Sequence, residues 1–122
     1  MRVDRLRKLA KILFTADEKH SQNDEPEYDQ GRYMWPCGTP ACALGHWAAA
    51  NPKRWKLKRT GYSEKVPLLR EKTTNDPIED AAKEFGLDYN EVSELFDGDG
   101  CGWARTGREA AIYIENFIRR NK

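Results

Sequence analysis

Three residues near the middle of this 122-residue chain have the best claim to chemistry, namely Cys37, Cys42 and His46. Both cysteines lie at the predicted start of a helix, where the partial positive charge of the peptide dipoles lowers a thiol pKa and favours the thiolate. His46 follows Cys42 by four residues, so the two side chains are neighbours on one helix face and the imidazole could serve as the base. Catalytic pairs usually come from different elements, however, and no third orienting residue can be named. A small buried cysteine and a hydrogen-bonded core histidine are therefore the favoured interpretation.

The same residues together with Cys101 have the composition of a zinc site with three cysteines and one histidine. Four residues separate Cys37 from Cys42, whereas two is the common gap in a zinc knuckle, and His20 is a spare candidate ligand. With three cysteines in the chain, a complete disulfide framework is excluded and reduced thiols are expected. The sequence therefore predicts no metal site and no cofactor, with these four residues kept as weak candidates.

A short acidic and glycine-rich segment resembles part of a calcium loop. Asp97, Asp99 and Gly102 fall at positions one, three and six of an EF-hand. Position twelve would be Arg108, where a bidentate glutamate belongs, and its positive charge would oppose the ion. A tight glycine-rich turn is therefore predicted in place of a calcium site.

The cysteine–histidine segment is predicted to be a buried central helix over about residues 40–50. Thr39 is a good N-cap, and Pro40 falls at the first helical position, where its missing N–H costs nothing. Asn51-Pro52 would close the helix, because proline cannot continue it. The residues between are mostly alanine and other small apolar types, so neighbouring elements can approach closely.

The remaining elements follow from apolar spacing and from capping residues. Residues 2–16 are predicted to form an amphipathic helix and residues 17–32 a polar loop. Residues 54–69 are predicted to form a β-hairpin in which Trp55 and Leu57 alternate with lysines. Helices are predicted over residues 77–85 and 89–96, and a last one runs to about Arg120. The cap signals are Asp76 with Pro77, Gly86, Asp88 with Glu91, and Thr106 with Glu109. The predicted fold is mainly α, a compact bundle of about five helices around the central helix (about 40–50) with one small β-hairpin (about 54–69), in a single domain over 1–122.

The small net charge of +1 conceals alternating blocks of charge along the chain. Residues 1–16 carry +4 and residues 17–30 carry −5, whereas residues 51–75 carry +6 from eight basic and two acidic residues. Residues 76–99 then carry −8, and residues 101–122 carry +3. Such blocks predict that neighbouring elements in the fold neutralise one another.

Two features raise the question of nucleic-acid binding. Ala82, Gly86 and Val92 have the spacing of a helix-turn-helix, but the second helix has no basic residue and its acidic block would repel phosphates. A helical corner is therefore predicted there. The basic hairpin is the better nucleic-acid surface, since it combines cations with aromatic rings. The candidate binding-surface residues are Lys53, Arg54, Trp55, Lys56, Lys58, Arg59 and Tyr62.

The segment from Trp35 through Cys37-Gly38-Thr39 to Cys42 and Gly45 resembles a family of small bacterial and phage proteins of uncharacterised function. Further along, Ala81-Ala82, Gly86-Leu87 and Leu95-Phe96 resemble a second segment of that family, and the helix from Thr106 to Ile118 a third. The resemblance implies a phage or mobile-element origin. It brings no established activity, so no catalytic residue is carried over.

The composition and the motifs favour a non-catalytic accessory protein that acts through protein–protein interaction. The alternatives are a thiol-dependent enzyme or zinc-binding module using Cys37 and Cys42, and nucleic-acid binding through the basic 53–72 segment. No secretory signal and no run of about 18 apolar residues is visible, which predicts a cytoplasmic protein without a membrane partner. The identity of the protein partner is open, and so is a homo-oligomer.

Overall fold

The computed structural model describes residues 1–22, 42–60, 64–96, Cys101 and 104–121. Within these residues the chain forms five helices and one antiparallel hairpin. In chain order they are α1 (Val3–Gln22), α2 (Ala43–Ala50), β1 (Trp55–Thr60), β2 (Glu64–Leu69), α3 (Pro77–Phe85), α4 (Tyr89–Phe96) and α5 (Gly107–Asn121). The mainly α architecture with one small hairpin is thus confirmed.

Helix α1 is longer than predicted, because it continues to Gln22 through residues assigned to a polar loop. The apolar spacing that identifies the helix ends at Ala16, while residues 17–22 are polar and carry no periodic signal. The remainder of that predicted loop lies outside the described residues. Leu6, Leu9 and Leu13 are fully buried, and this face of α1 packs most extensively against α5.

Helix α2 is shorter than the predicted helix over 40–50. It begins at Ala43, and Cys42 is its N-cap, with extended backbone and a thiol that accepts from the Gly45 N–H. The predicted cap Thr39 and the predicted first residue Pro40 lie outside the described residues. The burial of the helix is confirmed for its first six residues, Ala43–Ala48, and its end at Asn51 is confirmed as well. A sulfur atom is a weak acceptor, which is why Cys42 gave no cap signal.

The hairpin has the predicted bounds, with Trp55 opposite Leu69 and Leu57 opposite Pro67. The two apolar residues of β1 differ in burial, since Trp55 is 2% exposed whereas Leu57 is 41% exposed. The residues opposite them on β2, Leu69 and Pro67, are both buried, so this face is covered along β2 and at the start of β1 but not at Leu57. The chain between the two strands, residues 61–63, lies outside the described residues.

The cap signals of the C-terminal half are confirmed. Asp76 accepts from the Ile78 N–H and Gly86 ends α3 in the left-handed conformation. The Asp88 and Glu91 side chains bond to each other's backbone N–H at 2.8 and 3.0 Å. The predicted helical corner of α3 and α4 buries Ala81, Phe85, Leu87, Val92 and Leu95.

Helix α5 begins with a variant of the predicted capping box. The Glu109 N–H donates to the Thr106 hydroxyl at 3.1 Å, while the Glu109 carboxylate accepts from the backbone of Arg105 instead of Thr106. Both Ala110 and Ala111 are buried, and so are Ile114, Phe117 and Ile118.

Ion pairs join the oppositely charged blocks of the chain. Arg5 of the first basic block and Arg54 of the second both contact Glu84 of the acidic block, and Arg120 contacts Glu94. The prediction that neighbouring elements neutralise one another is confirmed at these three pairs. None of the described helices is long and apolar enough to cross a lipid bilayer.

Candidate functional site: a basic cleft above a buried carboxylate

The described thiols lie in the core and not at a reactive surface. Cys42 is 1% exposed and Cys101 is 2% exposed. Burial, with further contributions from Cys42 and Glu94, raises the pKa of the Cys101 thiol to about 12, so its thiolate is scarce at neutral pH. The Cys101 thiol instead donates to the Leu95 carbonyl at 3.3 Å. Cys37 lies outside the described residues.

His46 is also a core residue, with 7% of its surface exposed. Its Nδ1 lies 2.8 Å from the Cys42 carbonyl oxygen. Because a carbonyl only accepts, Nδ1 carries the proton, and this nitrogen is not the base that a Cys42 nucleophile would need. The core interpretation of both residues, favoured by the sequence, therefore agrees with their geometry.

The structure brings together no metal site in the part of the chain that it describes, where no three His, Cys, Asp or Glu residues could hold an ion. Of the four candidate zinc ligands, Cys42, His46 and Cys101 fall within that part. The calcium-loop residues Asp97, Asp99 and Gly102 lie outside it.

A cleft of about 630 Å³ opens where the hairpin meets the end of α3. Three short segments form its walls, which are the turn before β1, the chain that leaves β2, and the last turn of α3. Five of its side chains are basic and two are acidic, a formal excess of three positive charges. The lining residues are Lys53, Arg54, Leu69, Arg70, Glu71, Lys72, Lys83 and Glu84.

Glu84 lies at the base of this cleft with no exposed side-chain surface. Its Oε1 accepts from the guanidinium groups of Arg5 and Arg54, at 2.5 and 2.6 Å. Its Oε2 accepts from the indole nitrogens of Trp55 and Trp47, at 2.6 and 3.2 Å. A buried carboxylate requires such partners, since an unpaired charge in the core is strongly unfavourable. Glu84 is thereby neutralised, and the remaining cations give the cleft its positive charge.

The hydrogen bonds of three cleft cations fix the shape of the walls. Arg70 Nε donates to the Pro52 carbonyl at 2.8 Å, and Lys83 Nζ donates to the Lys72 carbonyl at 3.2 Å. Arg54 is held by Glu84 while half of its side chain remains exposed. The side chains of Lys53 and Lys72 are exposed and form no ion pair with another described residue. These two lysines are therefore available to an anionic ligand.

A second buried carboxylate organises the loop that forms the upper wall of the cleft. Asp80 Oδ2 accepts from the Leu69 N–H and the Thr73 hydroxyl, at 2.9 and 2.6 Å. Its Oδ1 accepts from the Thr74 N–H at 2.7 Å and from the Thr74 hydroxyl at 2.8 Å. Burial alone would raise the pKa of Asp80, but these hydrogen bonds more than offset it and hold the pKa below the ordinary value of 3.8.

The sequence identified only part of this site. Lys53 and Arg54 line the cleft as members of the candidate binding surface, whereas Lys56, Lys58 and Arg59 lie along β1 and Tyr62 lies outside the described residues. Trp55 was also predicted to belong to that surface, but it is buried and its indole N–H donates to the Glu84 carboxylate. Of the other lining residues, Leu69, Arg70, Glu71 and Lys72 lie within the basic 53–72 segment but were not named as candidates, and Lys83 and Glu84 of α3 lie outside that segment.

One signal could have identified the two buried carboxylates. Asp80 and Glu84 are four residues apart on α3 and each directly precedes a core residue, Ala81 or Phe85. Two like charges at this spacing beside the apolar face destabilise an isolated helix unless each has a partner in the fold.

A comparison of the chain with protein-family models, with curated proteins and with solved structures finds no match. The resemblance to small bacterial and phage proteins therefore stays a prediction.

Proposed function

We propose that this chain is a non-catalytic accessory protein that binds an acidic segment of another protein at the basic cleft. The single observation that carries the proposal is the convergence of five basic side chains, from three separate segments, on one cleft of about 630 Å³. Pockets that bind small ligands have volumes of about 300–1,000 Å³, and this cleft falls within that range. Carboxylates of an acidic peptide would meet Lys53 and Lys72 first.

Three observations favour an acidic protein segment over a nucleic acid. The only described aromatic ring of the predicted binding surface, Trp55, is buried and cannot stack on a base. On helix α3, which packs against β2, the exposed carboxylates are those of Glu79 and of the N-cap Asp76, and they would repel a phosphate backbone that runs past the cleft. The walls also contain the exposed Glu71, which a polyanion of uniform charge would have to approach. A peptide can place its few carboxylates on the cations and keep other residues near Glu71.

The thiol-dependent alternative has no support among the described residues. Cys42 and Cys101 are buried, and the Nδ1 atom of His46, which faces the Cys42 carbonyl oxygen, carries a proton and cannot act as a base. The proposed function therefore depends on charge and shape and requires no nucleophile. Association would weaken with salt, because exposed charges attract through a screened field.

Fluorescence anisotropy with a labelled peptide tests the proposal. The probe is an eight-residue peptide in which glutamate alternates with threonine and one valine, and a 20-base-pair DNA duplex is the competing ligand. The test variant is Lys53→Glu/Lys72→Glu, which reverses the charge of the two cleft cations whose side chains form no ion pair or hydrogen bond with another described residue. The matched control is Lys8→Glu/Lys11→Glu, which makes the same change of charge on exposed positions of α1.

We expect the cleft variant to weaken peptide binding about tenfold or more, and the α1 variant to weaken it less than about threefold. Equal losses in the two variants would show that only net charge matters and would reject the cleft as the site. Tighter binding of the duplex than of the peptide would reject the protein partner in favour of nucleic acid.

A further inference from the structure

The two edges of the β-hairpin differ in whether their backbone groups are already bonded. In an antiparallel pair, residues directly opposite each other either exchange two hydrogen bonds or point their N–H and C=O groups outward, in alternation. The Leu69 N–H donates to Asp80 and not to β1, so the pair of Trp55 and Leu69 is of the outward type. The pairs of Leu57 with Pro67 and of Arg59 with Lys65 are then outward as well.

The outer edge of β2 is blocked at two of these three positions. Pro67 has no N–H, and the Leu69 N–H is occupied by the Asp80 carboxylate. Helices α2 and α3 also pack against this strand. Such features protect a strand from pairing with another chain.

Among the described residues, none protects the outer edge of β1 beyond its first residue. The Trp55 N–H donates to the Asn51 carbonyl at 3.1 Å. The outward backbone groups of Leu57 and Arg59 form no hydrogen bond with another described residue. The Leu57 side chain is 41% exposed, and Arg59 is exposed. This edge therefore offers a template for one more strand.

The charges beside this edge specify what could be added there. Arg59 and Lys65 lie directly opposite each other on one face of the hairpin, and such like-charge pairs destabilise a sheet. Lys56 and Lys58 lie on the other face, and Lys58 is exposed. A second copy of β1 would bring further cations beside these, whereas an acidic chain would neutralise them.

We propose that the edge of β1 binds its acidic partner as an added β-strand, with glutamate or aspartate on the cations and an apolar side chain beside Leu57. This inference rests on the proposed function, since it gives the mode in which the same acidic segment is held. The strand begins directly after Arg54, which lines the cleft, so one extended segment would contact both features. Main-chain hydrogen bonds would supply affinity, and the alternating side chains would supply specificity.

Amide hydrogen exchange, measured by NMR on the full chain with and without saturating peptide, tests the inference. The probe is the alternating glutamate–threonine peptide used above. The amides of Leu57 and Arg59 point outward in the free protein, whereas those of Lys56 and Lys58 already bond to β2. The second pair is therefore an internal control within the same strand.

We expect peptide binding to slow exchange at Leu57 and Arg59 about tenfold or more while Lys56 and Lys58 change less than about threefold. Peptide binding without protection of Leu57 and Arg59 would overturn strand addition and leave the proposed function standing. Absence of peptide binding would overturn both. Protection of the same two amides without peptide, together with a dimeric mass, would overturn the acidic occupant in favour of a second copy.

Discussion

The two buried carboxylates of α3, Asp80 and Glu84, are four residues apart but have different kinds of hydrogen-bonding partners. The partners of Glu84 are side chains distant in sequence, two of them cationic, from α1, α2 and the start of the hairpin. The partners of Asp80 are neutral and lie within eleven residues along the chain. Glu84 therefore holds separate elements of the fold together, whereas Asp80 shapes one loop.

This difference explains how a cleft with a net positive charge can lie above a buried anion. Glu84 forms ion pairs with Arg54 from the cleft wall and with Arg5 from outside the cleft. Its charge is therefore balanced without an ion pair to the exposed lysines. Asp80 uses no cation and fixes the chain that carries Arg70 and Lys72. One carboxylate thus positions an arginine, and the other positions the backbone of a binding loop.

The largest predicted effect is the removal of Glu84. Glu84→Ala leaves two arginines and two indole N–H groups without their acceptor, and we expect it to lower the free energy of unfolding by about 3–5 kcal/mol. Urea denaturation measures this loss. The exposed Glu79→Ala on the same helix is the control, with an expected change within about 0.5 kcal/mol. A loss at Glu84 no larger than at Glu79 would contradict its role in joining the elements.

Removal of Asp80 comes next. Asp80→Ala leaves the Leu69 N–H without an acceptor in a buried place and releases the loop, with an expected loss of about 2–3 kcal/mol in the free energy of unfolding. It should also weaken binding of the acidic peptide, because the loop carries Arg70 and Lys72. Unchanged affinity in a folded Asp80→Ala protein would separate the loop from the site.

A smaller predicted effect is the contribution of Asp80 to the pH dependence of stability. The folded pKa of Asp80 lies below its ordinary value of 3.8, so near that pH the unfolded chain binds more protons than the folded one. The stabilisation by Asp80 is therefore complete above that range and is lost as the pH falls through the lowered pKa. Unfolding at several pH values should show a shallower decline below pH 5 in Asp80→Asn than in the wild type. Equal slopes would contradict this contribution.

The smallest predicted effect distinguishes the two arginines of Glu84. The Arg5 side chain is 22% exposed and also donates to the Glu84 carbonyl at 2.8 Å, whereas Arg54 is 50% exposed. We expect Arg5→Ala to cost about 1–2 kcal/mol and Arg54→Ala about 1 kcal/mol or less. Only Arg54→Ala should reduce peptide binding, since Arg5 does not line the cleft. The reverse order of the two losses would contradict the assigned roles.

Features encoded by neighbouring residues could be predicted from the sequence. Asp76 with Pro77, Gly86 and the box of Asp88 and Glu91 each act within a few residues, and each does what its type predicts. The hairpin was found because its alternation is also local. The start of α2 was missed because Cys42 is an uncommon cap, and the end of α1 because residues 17–22 have no apolar spacing.

The candidate site depends on contacts that no local pattern contains. Glu84 meets Arg5, Trp47 and Trp55 at separations of 79, 37 and 29 residues along the chain. The basic composition of residues 51–75 was visible, but the burial of Trp55 and the addition of Lys83 to the same cleft follow only from packing. The sequence therefore predicted a basic surface and could not predict its concave shape.

The most direct test of the central claim is a two-dimensional NMR titration of the isotope-labelled protein with the acidic peptide. We predict shifts at the backbone amides of Lys53, Arg54, Arg70 and Lys72, and at the indole N–H signals of Trp47 and Trp55, which report on Glu84 beneath the cleft. Peptide-dependent shifts confined to α1 and α5, with these signals unmoved, would contradict the assignment of the basic cleft as the binding site.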